Sequence, residues 1–249
     1  MSIYLKNVVL LVAVLFLMVG CASTKKYPKE VTILLIGQSN MAGRVLTQTE
    51  SFKGEKSILL LDQQGKWQST EDVDLNVYSN LEPPNDKSKF GVSYGFIHSL
   101  LKRTDINTIK VISNSRGGTA ISCWISDLCI KETLKRVDGI KVDYVLFHQG
   151  ENDWLFKNKQ YHQDVKTFAS LVFSRIKPQY LIVGGIGRCK GIDVSYYNQS
   201  WNDLAKSDDR IGYASSDELS CFDNAHFDRQ SVIKLGERYF EQLLMLMEK

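Results

Sequence analysis

A succession of short apolar runs alternating with helix-periodic stretches constrains this chain more than any other feature. Residues 31–36 (VTILLI), 57–62, 110–113, 142–147 and 180–183 are rich in Val, Ile and Leu, and residues 211–214 (IGYA) form a further short run. Each is too short for a buried helix, and a strand covered on both faces reads as a continuous apolar run. Residues 91–103, 159–175, 195–206 and 228–247 instead place apolar side chains at helical spacing, as Phe96, Leu100 and Leu101 do. Alternation of this kind predicts an α/β fold, a parallel sheet with helices on both faces.

The runs end in polar clusters. The first meets Gly37-Gln38-Ser39-Asn40, and the 110–113 run meets Asn114-Ser115-Arg116-Gly117-Gly118-Thr119. The 142–147 run enters His148-Gln149-Gly150-Glu151-Asn152-Asp153, and Asp223-Asn224-Ala225-His226 precedes the last helix. In a parallel sheet these ends share one edge, where open α/β sheets place their ligands. Serine hydrolysis needs a nucleophile, a base, a group that orients the base, and donors for the oxyanion. Ser39 fits the first need. Asp223 and His226, three apart, fit the base pair, with the carboxylate on Nδ1 and Nε2 left for Ser39. The same residues also suit helix capping and turns, so each cluster alone leaves both readings open. The Gly184-Gly185-Ile186-Gly187 run lacks dinucleotide-fingerprint spacing.

The first 21 residues read as a leader rather than fold. Lys6 precedes an apolar stretch that ends at Gly20-Cys21, with small and polar residues beyond. A charged start, a short apolar core and a small-residue boundary describe an export signal. The stretch is shorter than the roughly 20 residues of a spanning helix. Residues 17–21 (LMVGC) resemble a bacterial lipoprotein box, with Met18 where such boxes usually carry Leu. The resemblance implies lipidation of Cys21, a tether over residues 22–30, and an exported lipoprotein of the bacterial cell envelope, at the outer membrane or facing the periplasm. Residues 31–249 then form one domain, an ordinary size for an α/β fold.

The formal charge is +3, without a basic block beyond Lys25-Lys26, which argues against a nucleic-acid partner. Cys123, Cys129, Cys189 and Cys221 allow three disulfide connectivities, with Cys123–Cys129 the local choice. Their spacing is not that of a zinc site, and no metal or cofactor is expected.

Together, Gly37-Gln38-Ser39-Asn40-Met41-Ala42-Gly43-Arg44, Gly117-Gly118-Thr119, His148-Gln149-Gly150-Glu151 and Asp223-x-x-His226 resemble the sialic acid-specific acetylesterase-type domain. That domain is carbohydrate esterase family six of the SGNH hydrolase superfamily. The resemblance implies a three-layer flavodoxin-like fold around a mainly parallel sheet of about five strands. It also implies removal of O-acetyl groups from a carbohydrate such as sialic acid or acetylated xylan. Ser39 matches the nucleophile, His226 the base and Asp223 its orienter. The N–H groups of Ser39 and of Gly117 or Gly118 match oxyanion donors. Gln149 ranks first as the third donor and Asn152 second. His148 and Glu151 are expected to fix their loop, with Glu151 also a candidate substrate contact. Gln38, Asn40 and Arg116 are further candidates for binding substrate, Arg116 through an acidic group, and Trp124 for lining the pocket. Position 41 is Met, so Ser39 is not in a G-x-S-x-G elbow. A lipase or thioesterase on the same fold, and a non-catalytic sugar-binding lipoprotein, are the competing functions. Oligomeric state has no signature in the sequence.

Overall fold

The computed structural model describes residues 27–54, 56–83 and 87–249. The leader, Cys21 and most of the tether lie outside the described residues. Strand β1 (Glu30–Gly37) is the centre of the sheet. Val31, Ile33 and Leu35 enter one apolar core, while Leu34 and Ile36 enter a second on the opposite face. This two-sided burial is why the run has no polar alternation.

β1 is followed by a one-turn helix α1 (Ser39–Ala42) and a two-residue strand β2 (Val45–Leu46). Strands β3 (Ser57–Leu61) and β4 (Trp67–Ser69) form a hairpin. β5 (Lys89–Phe90) pairs only with β2. Next come α2 (Ser93–Arg103), β6 (Thr108–Ser113), α3 (Ile121–Ile125), α4 (Leu128–Arg136) and β7 (Tyr144–His148). The chain continues through α5 (Glu151–Leu155), α6 (Tyr161–Leu171), β8 (Tyr180–Gly184), α7 (Ser195–Ser207), β9 (Ile211–Ala214) and α8 (Arg229–Met247).

The main sheet has seven strands in the order β4-β3-β6-β1-β7-β8-β9, all parallel except β4. The expected count of about five is therefore low. The shortfall lies at the edges, where β4 has three residues, none of them buried. An exposed three-residue edge strand carries no apolar signature. Helices α2 and α8 pack together over one face, and α3, α6 and α7 over the other. One disulfide, Cys123 to Cys129, ties α3 to α4, and the other joins Cys189 to Cys221. Among the described residues, no helix is long and apolar enough to cross a membrane.

Candidate active site

The C-terminal ends of β1, β6 and β7 meet around Ser39. Gly37 turns the chain with φ +130°, and a Cβ there would collide with the backbone of His148 at the end of β7. Glycine permits both the dihedral and the close approach. Ser39 then begins α1 and is 5% exposed, so its hydroxyl sits in the floor of the sheet edge.

Asp223 and His226 reach Ser39 from a loop without helix or strand. An isolated bridge pairs Cys221 with Phe227, and the Phe222 N–H donates to the His226 carbonyl over 3.0 Å. Within that closed loop, Asp223 Oδ1 accepts from the N–H groups of Ala225 (2.8 Å) and His226 (2.7 Å). Its other oxygen lies 2.7 Å from His226 Nδ1, and His226 Nε2 lies 3.0 Å from Ser39 Oγ. Burial works against the Asp223 charge, but the His226 ring and the two N–H groups hold its carboxyl below the usual Asp range. An ionised Asp223 fixes the Nδ1–H tautomer and turns the Nε2 lone pair to the Ser39 hydroxyl.

Asn40 fastens this loop to the sheet. Its Nδ2 donates to the Ala225 carbonyl (3.0 Å) and to Glu151 Oε1 (2.6 Å), and its Oδ1 accepts from the Phe227 N–H (3.2 Å). Glu151 Oε1 also lies 3.0 Å from His148 Nε2, and His148 Nδ1 lies 3.3 Å from the Tyr239 hydroxyl. Burial opposes the Glu151 charge, yet His148 beside it keeps that carboxyl below the ordinary Glu range. His148 is fully buried. The pair thus holds Asn40, and Asn40 holds the histidine loop. With its amide engaged on both sides, Asn40 serves as this brace rather than as a substrate contact.

Two of the candidate oxyanion donors are already engaged. The Gly117 N–H donates to Glu82 Oε2 over 2.6 Å, and Arg44 pairs with the other oxygen of Glu82 at 2.9 Å. The Gly118 N–H has no partner among the described residues. Gln149 is 1% exposed, and its amide donates to Asp153 and to the Thr119 carbonyl (3.1 Å). Its own carbonyl oxygen faces the Tyr161 hydroxyl at 3.3 Å. That amide is a strut between loops, which removes the reason for ranking it first as third donor. The Asn152 side chain makes no hydrogen bond to a described residue. Gln38 turns its carbonyl oxygen to the N–H groups of Gly150 and Asn152 and to the Gln149 amide, each at 3.4 Å, and its own amide N–H groups make no hydrogen bond to a described residue. Arg116 is exposed and makes no ion pair among the described residues. Trp124 is fully buried, donates to Thr119 Oγ1 (3.1 Å) and packs edge-on against Phe147, so it supports the glycine loop from below rather than lining the pocket. No three His, Cys, Asp or Glu side chains among the described residues are placed to hold a metal ion.

Three contributors lie outside the sequence motifs. Glu82 sits in a long loop with no motif of its own, and Tyr239 lies on the last helix. Phe222 is 55% exposed and stacks on the His226 ring with centroids 5.8 Å apart. Its place beside Asp223 was the one available signal.

Residues 29–245 match the sequence pattern of the SASA family, described as carbohydrate esterase, sialic acid-specific acetylesterase. The chain belongs to this family. No curated protein sequence matches the chain. Its fold is similar to that of an Arabidopsis thaliana protein, at 20% identity and a TM-score of 0.71 over 88% of this chain and 99% of that one. It is also similar to a carbohydrate acetylesterase from Xanthomonas citri, at 14% identity and a TM-score of 0.67 over 87% of this chain and 56% of that one. An aryl esterase from M. smegmatis is similar at 12% identity and a TM-score of 0.54, over 87% of this chain and 99% of that one. These likenesses show that the chain shares its α/β fold with those proteins.

Proposed function

We propose that the chain is a serine esterase that removes O-acetyl groups from carbohydrate through an acyl-enzyme. The observation that carries this reading is the unbroken relay from Asp223 through His226 to Ser39, with separations of 2.7 Å and 3.0 Å. Ser39 Oγ attacks the acetyl carbonyl while His226 Nε2 takes its proton. Asp223 stabilises the imidazolium that results. The N–H groups of Ser39 and Gly118 and the Gln38 amide receive the oxyanion. The tetrahedral intermediate then expels the sugar oxygen, which takes the proton from His226. Water, deprotonated by His226, attacks the acyl-enzyme and releases acetate and free Ser39.

The substrate class is an O-acetylated sialic acid or an acetylated xylan-type glycan. Arg116, exposed and without an ion pair among the described residues, suits the carboxylate of the former. Acetate release by the soluble domain from both substrates tests the reading, with Ser39→Ala as control. Release that the substitution abolishes supports it. No release from either substrate, nor from a small acetyl ester, by folded protein would overturn it in favour of a sugar-binding lipoprotein.

The membrane tether through Cys21 is part of the same proposal, since the lipobox-like residues 17–21 would set the esterase at the envelope surface. Full-length protein is expected to sediment with membranes, and Cys21→Ser to release it. Sedimentation that survives the substitution would sink the lipid anchor.

A further inference from the structure

The esterase reading leaves unexplained a polar cavity beyond the Cys189–Cys221 disulfide. Its volume is about 520 Å³, and Arg188, Asn198, Gln199, Asn202, Tyr213 and Asp217 line it. Ligand sites usually fall in the range of about 300–1,000 Å³. The cavity lies where β8 and β9 end, under α7, on the sheet edge that also carries Ser39. Strands neighbour one another at about 4.8 Å, so the tip of β9 is about 14 Å from that of β1, across β7 and β8.

Three of the lining groups have hydrogen-bonding capacity to spare. The Arg188 guanidinium, the Asn202 amide and the Tyr213 hydroxyl make no hydrogen bond to any described residue, although they come from three separate segments. Asn198 differs, because its amide clamps the Ile186 N–H (2.8 Å) and carbonyl (3.0 Å) and so forms a fixed wall. One cation and one anion, Arg188 and Asp217, leave the lining without net charge. Guanidinium, amide and phenol groups suit a neutral ligand that both donates and accepts hydrogen bonds, as sugar hydroxyls do.

A short route joins this cavity to Ser39. Arg188 and Phe222 each stand one Cα step, about 3.8 Å, from a half-cystine, and the two half-cystine Cα atoms are 5.4 Å apart. Phe222 presents one face to the His226 ring and is 55% exposed. An aromatic ring held in that way offers a flat apolar surface to the C–H face of a sugar.

We propose that Phe222 and the cavity at the ends of β8 and β9 form a second subsite for a neutral glycosyl unit, so that the esterase acts on an acetylated unit within a longer glycan. The proposal rests on the carbohydrate esterase reading of Ser39 and deepens it. The added unit lies remote from the acetyl group, and its binding energy is available to position the ester.

The test compares substrates that differ only in length. These are acetylated xylose against acetylated xylotetraose, and free O-acetylated sialic acid against the same unit at the end of a trisaccharide. In the class that releases acetate, the longer substrate is expected to show a kcat/KM at least about tenfold higher, the worth of one or two good hydrogen bonds. Asn202→Trp, which fills the cavity, is expected to bring that ratio close to one. Tyr213→Phe removes a single oxygen, is expected to lower the ratio, and keeps the test valid if the larger substitution does not fold. Release without length dependence would overturn the subsite and leave the esterase reading standing. A length advantage that both variants retain would also overturn this location. No release from any of the four substrates would remove the esterase reading and the subsite with it.

Discussion

At the residue scale, the most informative pair is Gln38 and Gln149, two amides on adjacent loops with opposite commitments. Gln149 spends its N–H groups on Asp153 and Thr119, deep in the protein, with a longer contact to the Gln38 carbonyl oxygen. Gln38 spends its carbonyl oxygen on Gly150 and Asn152 and keeps its N–H groups. Gln38→Ala is therefore expected to lower kcat by about 10²–10³, the usual cost of one oxyanion donor. Gln149→Ala is expected to act mainly on stability, at about 1–3 kcal/mol for the buried partners left unpaired. Steady-state kinetics and thermal unfolding on both variants check the assignment. A loss of kcat confined to the Gln149 variant, at unchanged stability, would reverse it. The sequence brought Ser39, Asp223 and His226 to notice because each lies in a short motif at a strand end or before a helix. It could not distinguish the two glutamines, since the role of an amide depends on which partners it faces. Glu82 was invisible for a related reason. It acts on Gly117 and Arg44 across 35 and 38 residues of sequence, from a loop without periodicity.

At the scale of elements, the start of α8 decides where the catalytic loop stands. Asp228 caps that helix by accepting from the Ser231 N–H (2.9 Å), only two residues after His226. Arg229, the first helical residue, pairs with Glu50 and donates to the Leu46 carbonyl (2.5 Å). Burial would raise the Glu50 pKa, but Arg229 and the Gln48 N–H draw it down from 4.5 to about 2. A carboxyl depressed on folding adds stability that is complete above 4.5 and is lost as pH falls towards 2. The melting temperature of Glu50→Gln should thus trail that of the parent most above pH 4.5, with the gap closing near pH 2. A gap that stays constant across this range would mean the ion pair contributes nothing. Elements of this kind were unevenly legible. β1, β6, β7, β8 and α8 emerged within a few residues, because buried parallel strands and a long amphipathic helix each leave a sustained pattern. α3 and α4 did not, because α3 has five residues, too few to show a period, and it rests on the two buried side chains Ile121 and Trp124.

For the whole molecule, the alternation of strands and helices gave the layer order, and the sheet edge gave the site. The seven-strand order was not readable, since which parallel strands become neighbours depends on crossovers that no local pattern encodes. One consequence concerns time rather than space. Asn40 grips the histidine loop at Ala225 and Phe227 while standing next to Ser39 in the chain, so the relay is tied together by hydrogen bonds of the chain itself. A relay braced in this way is expected to need no lid stroke before it reacts. Its turnover should be indifferent to the friction of the solvent. Adding sucrose to raise the viscosity severalfold is expected to leave kcat on a small acetyl ester unchanged. A kcat that falls in proportion to viscosity would show that motion or product escape, rather than the chemistry of the braced relay, limits turnover.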